Sequence, residues 1–397
     1  MNTASQSVAA TSLITRVRPI WPAPINLRVN RRAGKFEVGS QNYLVLPSLR
    51  RPVLLLPSRS PAASGAIVRF DDGQRGKLLL RILAWAQAKG LLYRLPLARL
   101  SVSDRTGCPL DVVARTLPDA DTIVVRLGRP RHGRAVVLNA LDAGGRSLAF
   151  AKCAWGDRVF DLRREQASLT TITEHPVPGI RTPKVLGLIE QGDFAALVLE
   201  ALSPQSAAAE PSGVPIVEMR AFAERHGWQS SSLRLTPAIG RLREGINAIR
   251  DPEERKWLER ELDRLVTERG NVDTRTGSWH GDWVPWNMAR DADAVLLWDW
   301  EHCEDGVLPG FDHLHYLAQD LRLREGPTAS AEDAWVYSAR KVLATNWDVH
   351  HEEADAAIRT YLLVVNLRYV ADRQGAPDSS APRAGWSRQL LERLGEV

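Results

Sequence analysis

The stretch that decides the fold runs from residue 279 to residue 287 and reads WHGDWVPWN. A second stretch, VLLWDWE, follows at residues 295–301. The apolar residues that open this second stretch predict a short buried strand, which would present Asp299 rigidly at its end. Asp282 and Asn287 in the first stretch and Asp299 in the second are therefore the candidates for a chemical site.

These three side chains are oxygen donors that suit two tasks. A carboxylate can orient an attacking hydroxyl group and accept its proton, which is a task for Asp282. Carboxylate and amide oxygens also hold magnesium against the phosphates of a nucleotide, which is a task for Asn287 and Asp299. An isolated His-Gly-Asp triplet is common, and a carboxylate at a strand end is often only structural. Both elements in this order favour phosphoryl transfer.

The order and spacing of the motifs resemble the aminoglycoside phosphotransferase and choline kinase superfamily, whose members are relatives of the protein kinases. The stretch at 279–287 resembles its catalytic loop. The stretch at 295–301 resembles its metal-binding segment, which occupies the place of the kinase Asp-Phe-Gly motif. The resemblance implies that Asp282 is the catalytic base and that Asn287 and Asp299 bind Mg2+.

A third motif supports the catalytic loop. The residues GFDHL at 310–314 resemble the Asp-Leu-Ala element of the superfamily, whose aspartate, here Asp312, braces the loop. By the same resemblance His280 and Glu301 are structural. The implied fold is α+β and bilobal, with a β-rich N-lobe that binds ATP or GTP. A helical C-lobe would carry the catalytic loop and bind the acceptor.

The β-rich half is predicted upstream of these motifs. Apolar stretches bounded by turn residues indicate three strands, and the turn DAGGR at residues 142–146 joins the second and third as a hairpin. A helix and two further strands follow before a linker rich in Ala, Ser and Pro. The predicted strands span 122–127, 134–141, 147–153, 184–189 and 194–200, the helix spans 157–174, and the linker spans 203–214.

Lys152 lies in the third predicted strand, where the kinase-like fold carries the lysine that pairs the α- and β-phosphates. Its partner should be a glutamate on the next helix. Glu165 is the best placed, since Glu174 lies at the helix end. A single lysine on a strand is usually exposed and without a role. The motifs downstream favour the functional interpretation of this one.

Two further segments of the β-rich half match nucleotide-binding positions of the superfamily. The turn GRPRHG, from Gly128 to Gly133, joins the first two strands and would cover the phosphates. It is not a Walker A loop, because no Lys-Ser/Thr pair follows Gly133, and a solvated turn explains it equally well. Glu200 and Leu202 lie where the adenine-binding hinge would be, with contacts made by backbone groups.

Trp283 and Trp286 flank the presumed base on the acceptor side. Indole faces stack well on sugar rings and on cationic alicyclic groups, which favours a sugar, an aminoglycoside or a related small molecule as the acceptor. Ten of the thirteen tryptophans come after residue 203, so the helical half has a large aromatic core. Membership of that core explains both tryptophans equally well.

Residues 1–115 precede the resemblance and are predicted to form a small α/β unit without a catalytic motif. Strands are predicted at 43–46 and 53–56, a helix at 76–89, and disorder over the first fifteen residues. Residues 1–120 hold 18 Lys and Arg against 6 Asp and Glu, a net charge of +12, so the remainder carries −7. A basic segment can meet nucleic acid, acidic lipid or an acidic protein, but a solvated basic surface is the more common explanation. Nucleic acid is disfavoured, because aromatic and basic residues do not interleave here.

Length and composition set the remaining expectations. A chain of 397 residues is too long for one core, and the motifs divide it into 1–115, 116–203 and 204–397. No apolar stretch approaches the roughly 18 residues of a membrane span, and three scattered cysteines form no disulfide framework. A cytoplasmic protein without a signal peptide is expected. The oligomeric state stays open.

Three functions of different classes are compatible with these observations. The first is a small-molecule kinase. The second is a non-catalytic regulatory or scaffold protein, although such a relative would be expected to lose one of its motif residues. The third is a kinase for protein or nucleic-acid-associated targets, guided by the basic segment. The lack of an Ala-Pro-Glu signature after Asp299 disfavours protein substrates.

Overall fold

A computed structural model of the chain describes residues 3–30, 40–68, 77–103, 106–128, 136–202, 213–291, 293–326, 328–374 and 385–395. The chain forms two compact units. Of the described residues, unit 1 holds those up to 128 together with 136–166 and 183–202. Unit 2 holds 167–182 and the described residues from 213 onward.

The strands of the described residues are numbered in chain order. They are β1 (Leu27–Asn30), β2 (Gln41–Ser48), β3 (Arg51–Pro57), β4 (Arg99–Val102), β5 (Thr122–Arg126), β6 (Val136–Leu141), β7 (Ser147–Trp155), β8 (Ile180–Arg181), β9 (Val185–Gln191), β10 (Phe194–Glu200), β11 (Gln229–Ser232), β12 (Asp273–Trp279), β13 (Met288–Arg290), β14 (Val295–Leu297) and β15 (Glu304–Val307).

The α-helices of the same residues are numbered in the same way. They are α1 (Thr3–Val17), α2 (Ser64–Val68), α3 (Lys77–Ala88), α4 (Pro109–Arg115), α5 (Val159–Glu174), α6 (Ile216–Ala223), α7 (Pro237–Asn247), α8 (Pro252–Arg269), α9 (Phe311–Glu325), α10 (Ala329–Trp347), α11 (His351–Gln374) and α12 (Gly385–Gly395). This mixture of an antiparallel sheet with many helices confirms the predicted α+β class.

Unit 1 is built on one nine-stranded sheet in the order β1-β4-β2-β3-β5-β6-β7-β10-β9, with antiparallel pairs throughout. The pair of β3 and β5 joins the chain before residue 116 to the chain after it, with Leu54 opposite Arg126 and Leu55 opposite Val125. The sheet therefore runs across the boundary predicted at 115/116. Residues 1–115 extend the sheet of residues 116–203, because backbone pairing continues from one segment to the other.

Helix α1 packs on this sheet, where the sequence predicts disorder. Leu13 and Val17 are fully buried and belong to one apolar cluster with Trp21 and Tyr43. Residues four apart lie on the same face of a helix. The prediction of disorder is wrong, because this apolar pair anchors a helix whose other residues are mostly small and polar.

Both faces of the sheet are covered, which strand β2 shows most directly. Tyr43 and Val45 enter the cluster that contains α1, whereas Leu44 and Leu46 enter a second cluster that contains Ala84 of α3. Successive side chains of a strand point to opposite faces. Helices α1 and α3 therefore pack on opposite faces of the sheet.

Unit 2 is mainly helical and carries two three-stranded sheets, β11-β12-β15 and β13-β14-β8. In the second sheet the buried strand β14 pairs antiparallel with β13 and parallel with β8. Helix α11 packs against α7, α8, α9, α10 and α12. Within the ranges that the structure describes, no helix is both long and apolar enough to cross a membrane.

Candidate active site

The loop from residue 280 to residue 287 leaves strand β12 and turns sharply at Gly281. Gly281 has a φ of 85°, and a Cβ atom at this position would collide with the carbonyl oxygen of His302. Only glycine fits both the conformation and the close approach. The turn brings the start of the loop against the residues that follow Asp299.

The carboxylate of Asp312 holds the backbone of the same loop. It lies in the first turn of α9 and accepts hydrogen bonds from the N–H groups of His280 (2.7 Å) and Gly281 (3.0 Å). Burial raises the pKa of Asp312 to about 6, against these two bonds, which lower it. Arg368 of α11 donates to the carbonyl oxygen of Gly281 at 2.8 Å. Two helices thus fix the loop immediately before Asp282.

Two side chains hold the carboxylate of Asp282. Asn287 Nδ2 donates to Oδ2 at 2.7 Å, and His315 Nε2 donates to Oδ1 at 3.1 Å. One third of the side chain (33%) stays exposed to solvent. Burial opposes ionisation of Asp282, but the hydrogen bond and charge of His315, with smaller contributions from two other histidines, outweigh it and lower the pKa to about 2. The carboxylate is therefore ionised at neutral pH and fixed in orientation.

A short hairpin of β13 and β14 places Asn287 beside Trp298, which precedes Asp299. Met288 lies opposite Leu297, and the N–H group of Trp298 donates to the carbonyl oxygen of Asn287 at 3.1 Å. Asp299 itself has left-handed backbone angles, φ 67° and ψ 61°. Such angles are uncommon for residues other than glycine and concentrate at functional sites. The two predicted metal ligands are thus neighbours on one hairpin.

The side-chain oxygens of Asn287 and Asp299 are the type of ligand that magnesium prefers. Asn287 Nδ2 donates to both the carboxylate and the carbonyl oxygen of Asp282, which turns the amide oxygen away from that carboxylate. Mg2+ selects oxygen ligands, keeps several water molecules and needs only one or two protein carboxylates. In the described ranges no group of three or more His, Cys, Asp or Glu side chains could hold a metal. A hydrated ion on the Asn287 and Asp299 oxygens is the kind of metal site that these residues fit.

In unit 1 Lys152 and Glu165 form a buried ion pair. Lys152 lies in β7 and Glu165 in α5, and Lys152 Nζ lies 2.6 and 2.8 Å from the two carboxylate oxygens. The Glu165 side chain is fully buried, whereas part of Lys152 remains exposed. The glutamate therefore fixes the ammonium group of a side chain that is still partly exposed. The structure brings together the two residues that the sequence paired.

Three of the remaining nucleotide-binding candidates, Gly128, Glu200 and Leu202, lie at or just after strand ends in unit 1. Gly128 follows β5, and its carbonyl oxygen accepts a hydrogen bond from Arg16 of α1. Gly133 lies outside the described residues. Glu200 ends β10 and donates its N–H group to a backbone carbonyl oxygen at 2.9 Å. Leu202 follows the same strand and is partly buried. The nucleotide-binding roles of these residues stay predictions.

Trp283 is a core residue and does not face an acceptor. It is fully buried, and its indole N–H group points to the sulfur of Met288 at 3.3 Å. Its ring packs edge-on against Phe222 and His280. The predicted acceptor contact is therefore wrong for Trp283, because no face of the indole reaches solvent. Trp286 is 50% exposed and stays a candidate.

His280, at the start of the loop, is buried, and Glu301 is partly exposed. The His280 ring lies edge-on to Trp300 at 4.5 Å between centroids, and its Nδ1 accepts the N–H group of Asp282 at 3.2 Å. Burial lowers the pKa of His280 to about 4, so the ring is neutral at pH 7. Glu301 lies 3.7 Å from Nε2 of His302. The structural role of Glu301 stays a prediction.

Sequence analysis assigns no role to His315, which the structure places against Asp282. Asp312 and His315 are three residues apart on α9, so they share a face of the helix. That spacing is the signal from which the contact could have been found. The hydroxyl group of Tyr361 lies 3.1 Å from His315 Nδ1. Burial raises the pKa of Tyr361 well above its usual value, so the phenol keeps its proton at neutral pH.

No protein-family model matches this chain, and no curated protein matches it. Similar folds occur among solved structures. A thermostable mutant of aminoglycoside phosphotransferase APH(4)-Ia has 12% identity and a TM-score of 0.47, over 72% of this chain and 98% of that one. Aminoglycoside phosphotransferase APH(3'')-Id from Streptomyces rimosus has 19% identity and a TM-score of 0.41, over 65% and 96%. Amicoumacin kinase hAmiN, in complex with AMP-PNP, Ca2+ and Ami, has 12% identity and a TM-score of 0.44, over 72% and 93%.

Two of these three structures are aminoglycoside phosphotransferases, and all three have less than 25% identity to this chain. The likeness is one of fold. The chemistry of the site rests on the side chains described above.

Proposed function

We propose that this chain is a Mg2+-dependent kinase that transfers the γ-phosphate of ATP or GTP to a hydroxyl group of a small molecule. The observation that carries the proposal is the arrangement around Asp282 in unit 2. Asn287 and His315 donate hydrogen bonds to this carboxylate. Trp298, which precedes Asp299, donates its N–H group to the carbonyl oxygen of Asn287. An orienting carboxylate beside two oxygen ligands is what phosphoryl transfer requires.

Asp282 acts mainly by orientation. With a pKa of about 2 it is a weak base, and a loose transition state needs little proton removal before the new O–P bond forms. The carboxylate would accept a hydrogen bond from the acceptor hydroxyl group and direct the hydroxyl oxygen at the γ-phosphorus. As the new O–P bond forms and the bond from the γ-phosphorus to the β-phosphate oxygen breaks, Asp282 would take the proton and ADP or GDP would leave. Asn287 and His315 prevent the carboxylate from rotating away.

The residues of unit 1 are proposed to bind the nucleotide. Lys152, fixed by Glu165, would pair with the α- and β-phosphates. The backbone at Glu200 and Leu202 would bind the adenine or guanine ring, and the turn that begins at Gly128 would cover the phosphates. A magnesium ion held by Asn287 and Asp299 would neutralise charge on the phosphate oxygens.

The acceptor that we propose is a sugar, an aminoglycoside or a related metabolite. The supporting residue is Trp286, whose half-exposed indole lies four positions after Asp282. Such a face stacks on a sugar ring or on a cationic ring system. Replacing Trp286 with Ala should raise the KM for the acceptor and leave the KM for the nucleotide unchanged.

The first test measures thermal stability with Mg-ATP, Mg-GTP and no ligand, for the wild type and for Asp299→Asn. A nucleotide at 100 times its Kd should add about 2.7 kcal/mol to the free energy of unfolding. This gain should disappear in Asp299→Asn and persist in the control Asp293→Asn, which changes an exposed turn residue of the same hairpin. Absence of any nucleotide effect in the wild type would overturn the proposal in favour of a non-catalytic protein. A positive result leads to assays of ADP or GDP release with panels of sugars and aminoglycosides.

A further inference from the structure

Helix α3 is apolar on the face that packs against the sheet and also on the face turned to solvent. On the inner side Ala84 is buried in the second sheet cluster. On the outer side Leu78 (72% exposed), Ile82 (53%) and Trp85 (57%) follow one another at helical spacing in a single row, with Leu79 beside it. Surface helices normally turn polar side chains outward. The outer row of α3 therefore has the composition of a contact surface.

The buried polar side chain of Gln87 fixes the orientation of this helix. Gln87 points inward, and its Nε2 donates to the carbonyl oxygens of Pro57 (3.2 Å) and Ser60 (2.7 Å). Rolling the helix to bury the leucines would break both bonds, which costs free energy. The apolar row is thus a stable feature of the surface.

Exposed large apolar side chains are concentrated in this part of the chain. Of the fifteen that occur within the described ranges, six lie between residues 78 and 95. Besides the four on α3 they include Leu91 and Leu95, which follow the helix. Isolated exposed apolar residues are ordinary, but a cluster of them marks a contact surface.

Basic side chains accompany the apolar row. Arg81 and Lys89 on and just after α3, and Arg94 beyond them, are exposed. Residues 77–103 contain no Asp or Glu. The partner that fits this surface must accept apolar side chains and also carry negative charge.

We propose that α3 and the loop after it bind an anionic lipid surface, with the helix lying in the plane of the headgroups. Leu78 and Ile82 would enter the boundary between headgroups and acyl chains, and Trp85 would sit at the interface, where an amphipathic indole is favoured. Arg81 and Lys89 would extend to the lipid phosphates. A flat lipid surface suits a helix that lies along a sheet and exposes a single row of side chains. This inference does not depend on the proposed kinase activity.

The experiment is cosedimentation of the full chain with vesicles of phosphatidylcholine alone or with about one third phosphatidylserine. The wild type should sediment with the anionic vesicles and not with the neutral ones, and high salt should weaken the binding. Trp85→Glu should weaken binding by about tenfold or more, since it removes one buried aromatic side chain and adds a repelled charge. The matched control is Tyr337→Glu, which places the same charge at a 72% exposed aromatic position on α10 and should bind as the wild type does.

Three results would overturn the inference. One is a wild type that does not bind anionic vesicles, and another is equal binding by Trp85→Glu and Tyr337→Glu. The third is a dimer, detected by light scattering without lipid, that Trp85→Glu converts to a monomer, because the apolar row would then belong to an interface between two copies. Thermal melting of both variants checks that the exposed substitutions leave the fold intact.

Discussion

His315 Nε2 donates to Asp282 Oδ1 across 3.1 Å, and this bond joins helix α9 to the loop that carries the presumed base. The Tyr361 hydroxyl group lies 3.1 Å from the other ring nitrogen of His315. A carboxylate only accepts hydrogen bonds, so it is Nε2 that donates in the contact with Asp282. The contact fixes the orientation of the carboxylate.

The first prediction concerns this contact. His315→Phe keeps the ring volume and removes the donor, so kcat should fall roughly 100-fold while the KM for the nucleotide stays unchanged. His315→Gln retains an N–H donor near the position of Nε2 and should recover most of the lost activity. Steady-state kinetics of both variants provide the measurement. A purely structural role for His315 would lower the melting temperature of His315→Phe without this loss of kcat.

The second prediction separates two roles of the ion pair in unit 1. Lys152→Met removes the cation from a fully buried carboxylate, which should cost about 3–5 kcal/mol of folding free energy and abolish tight nucleotide binding. Adding Glu165→Gln should restore most of the stability, since the buried charge is then gone, but not the nucleotide affinity. Denaturant unfolding and nucleotide titration of the single and double variants test this. Restored affinity in the double variant would remove Lys152 from the nucleotide site.

The third prediction uses the left-handed backbone of Asp299. This conformation costs roughly 1–2 kcal/mol for a residue with a Cβ atom, and glycine adopts it freely. Asp299→Gly should therefore melt at a higher temperature than Asp299→Ala, and both should lose Mg2+-dependent nucleotide binding, since both lack the carboxylate. The two variants differ only in the Cβ atom, so each is the control for the other. If Asp299→Ala were the more stable variant, the backbone strain would not be real.

The fourth prediction concerns the dependence of stability on pH. Buried groups in unit 2 change the free energy of unfolding in opposite directions as the pH falls. Burial lowers the pKa of His280 and His313 from 6.5 to about 4. Their contribution to stability is complete above pH 6.5 and is lost as the pH falls through 4. Burial raises the pKa of Asp312 from 3.8 to about 6. The protonated Asp312 adds stability that is complete below about pH 3.8 and is lost as the pH rises through 6.

The wild type should therefore lose stability only gradually between pH 7 and pH 5, because protonation of Asp312 offsets part of the loss from the histidines. Asp312→Asn lacks the offsetting group and should lose stability more steeply over the same range. Melting temperatures at closely spaced pH values give both curves. Parallel curves would show that Asp312 does not titrate in this range.

Local patterns in the sequence were sufficient to predict seven of the nine strands of the large sheet, together with helices α3 and α5. The helix predicted at 76–89 is α3 (Lys77–Ala88), and the strand predicted at 147–153 is β7 (Ser147–Trp155). Turn residues and hydrophobic periodicity act over a few positions, so they can be read without knowledge of the fold. The closeness of Asp282 and Asn287 was predictable for the same reason, because both residues lie in one short loop.

Contacts between distant parts of the chain were not predictable in this way. The choice of β5 as the partner of β3 depends on the fold and not on either strand alone. His315 contacts Asp282 from 33 residues away, and its side chain could equally have been an ordinary core histidine. The indole of Trp283 is suited to stacking on a ligand or to packing in a core, and only its burial decides between them.

The pairing of β3 with β5 has a consequence for any shorter version of this protein. A chain that began at residue 116 would keep every motif of the presumed catalytic half, but β5 would become an edge strand with unpaired N–H and C=O groups. The apolar surface beneath α1 would be open to water as well. Bare sheet edges of this kind recruit strands from other molecules. Removal of the first 115 residues is therefore expected to yield aggregates rather than a soluble fragment.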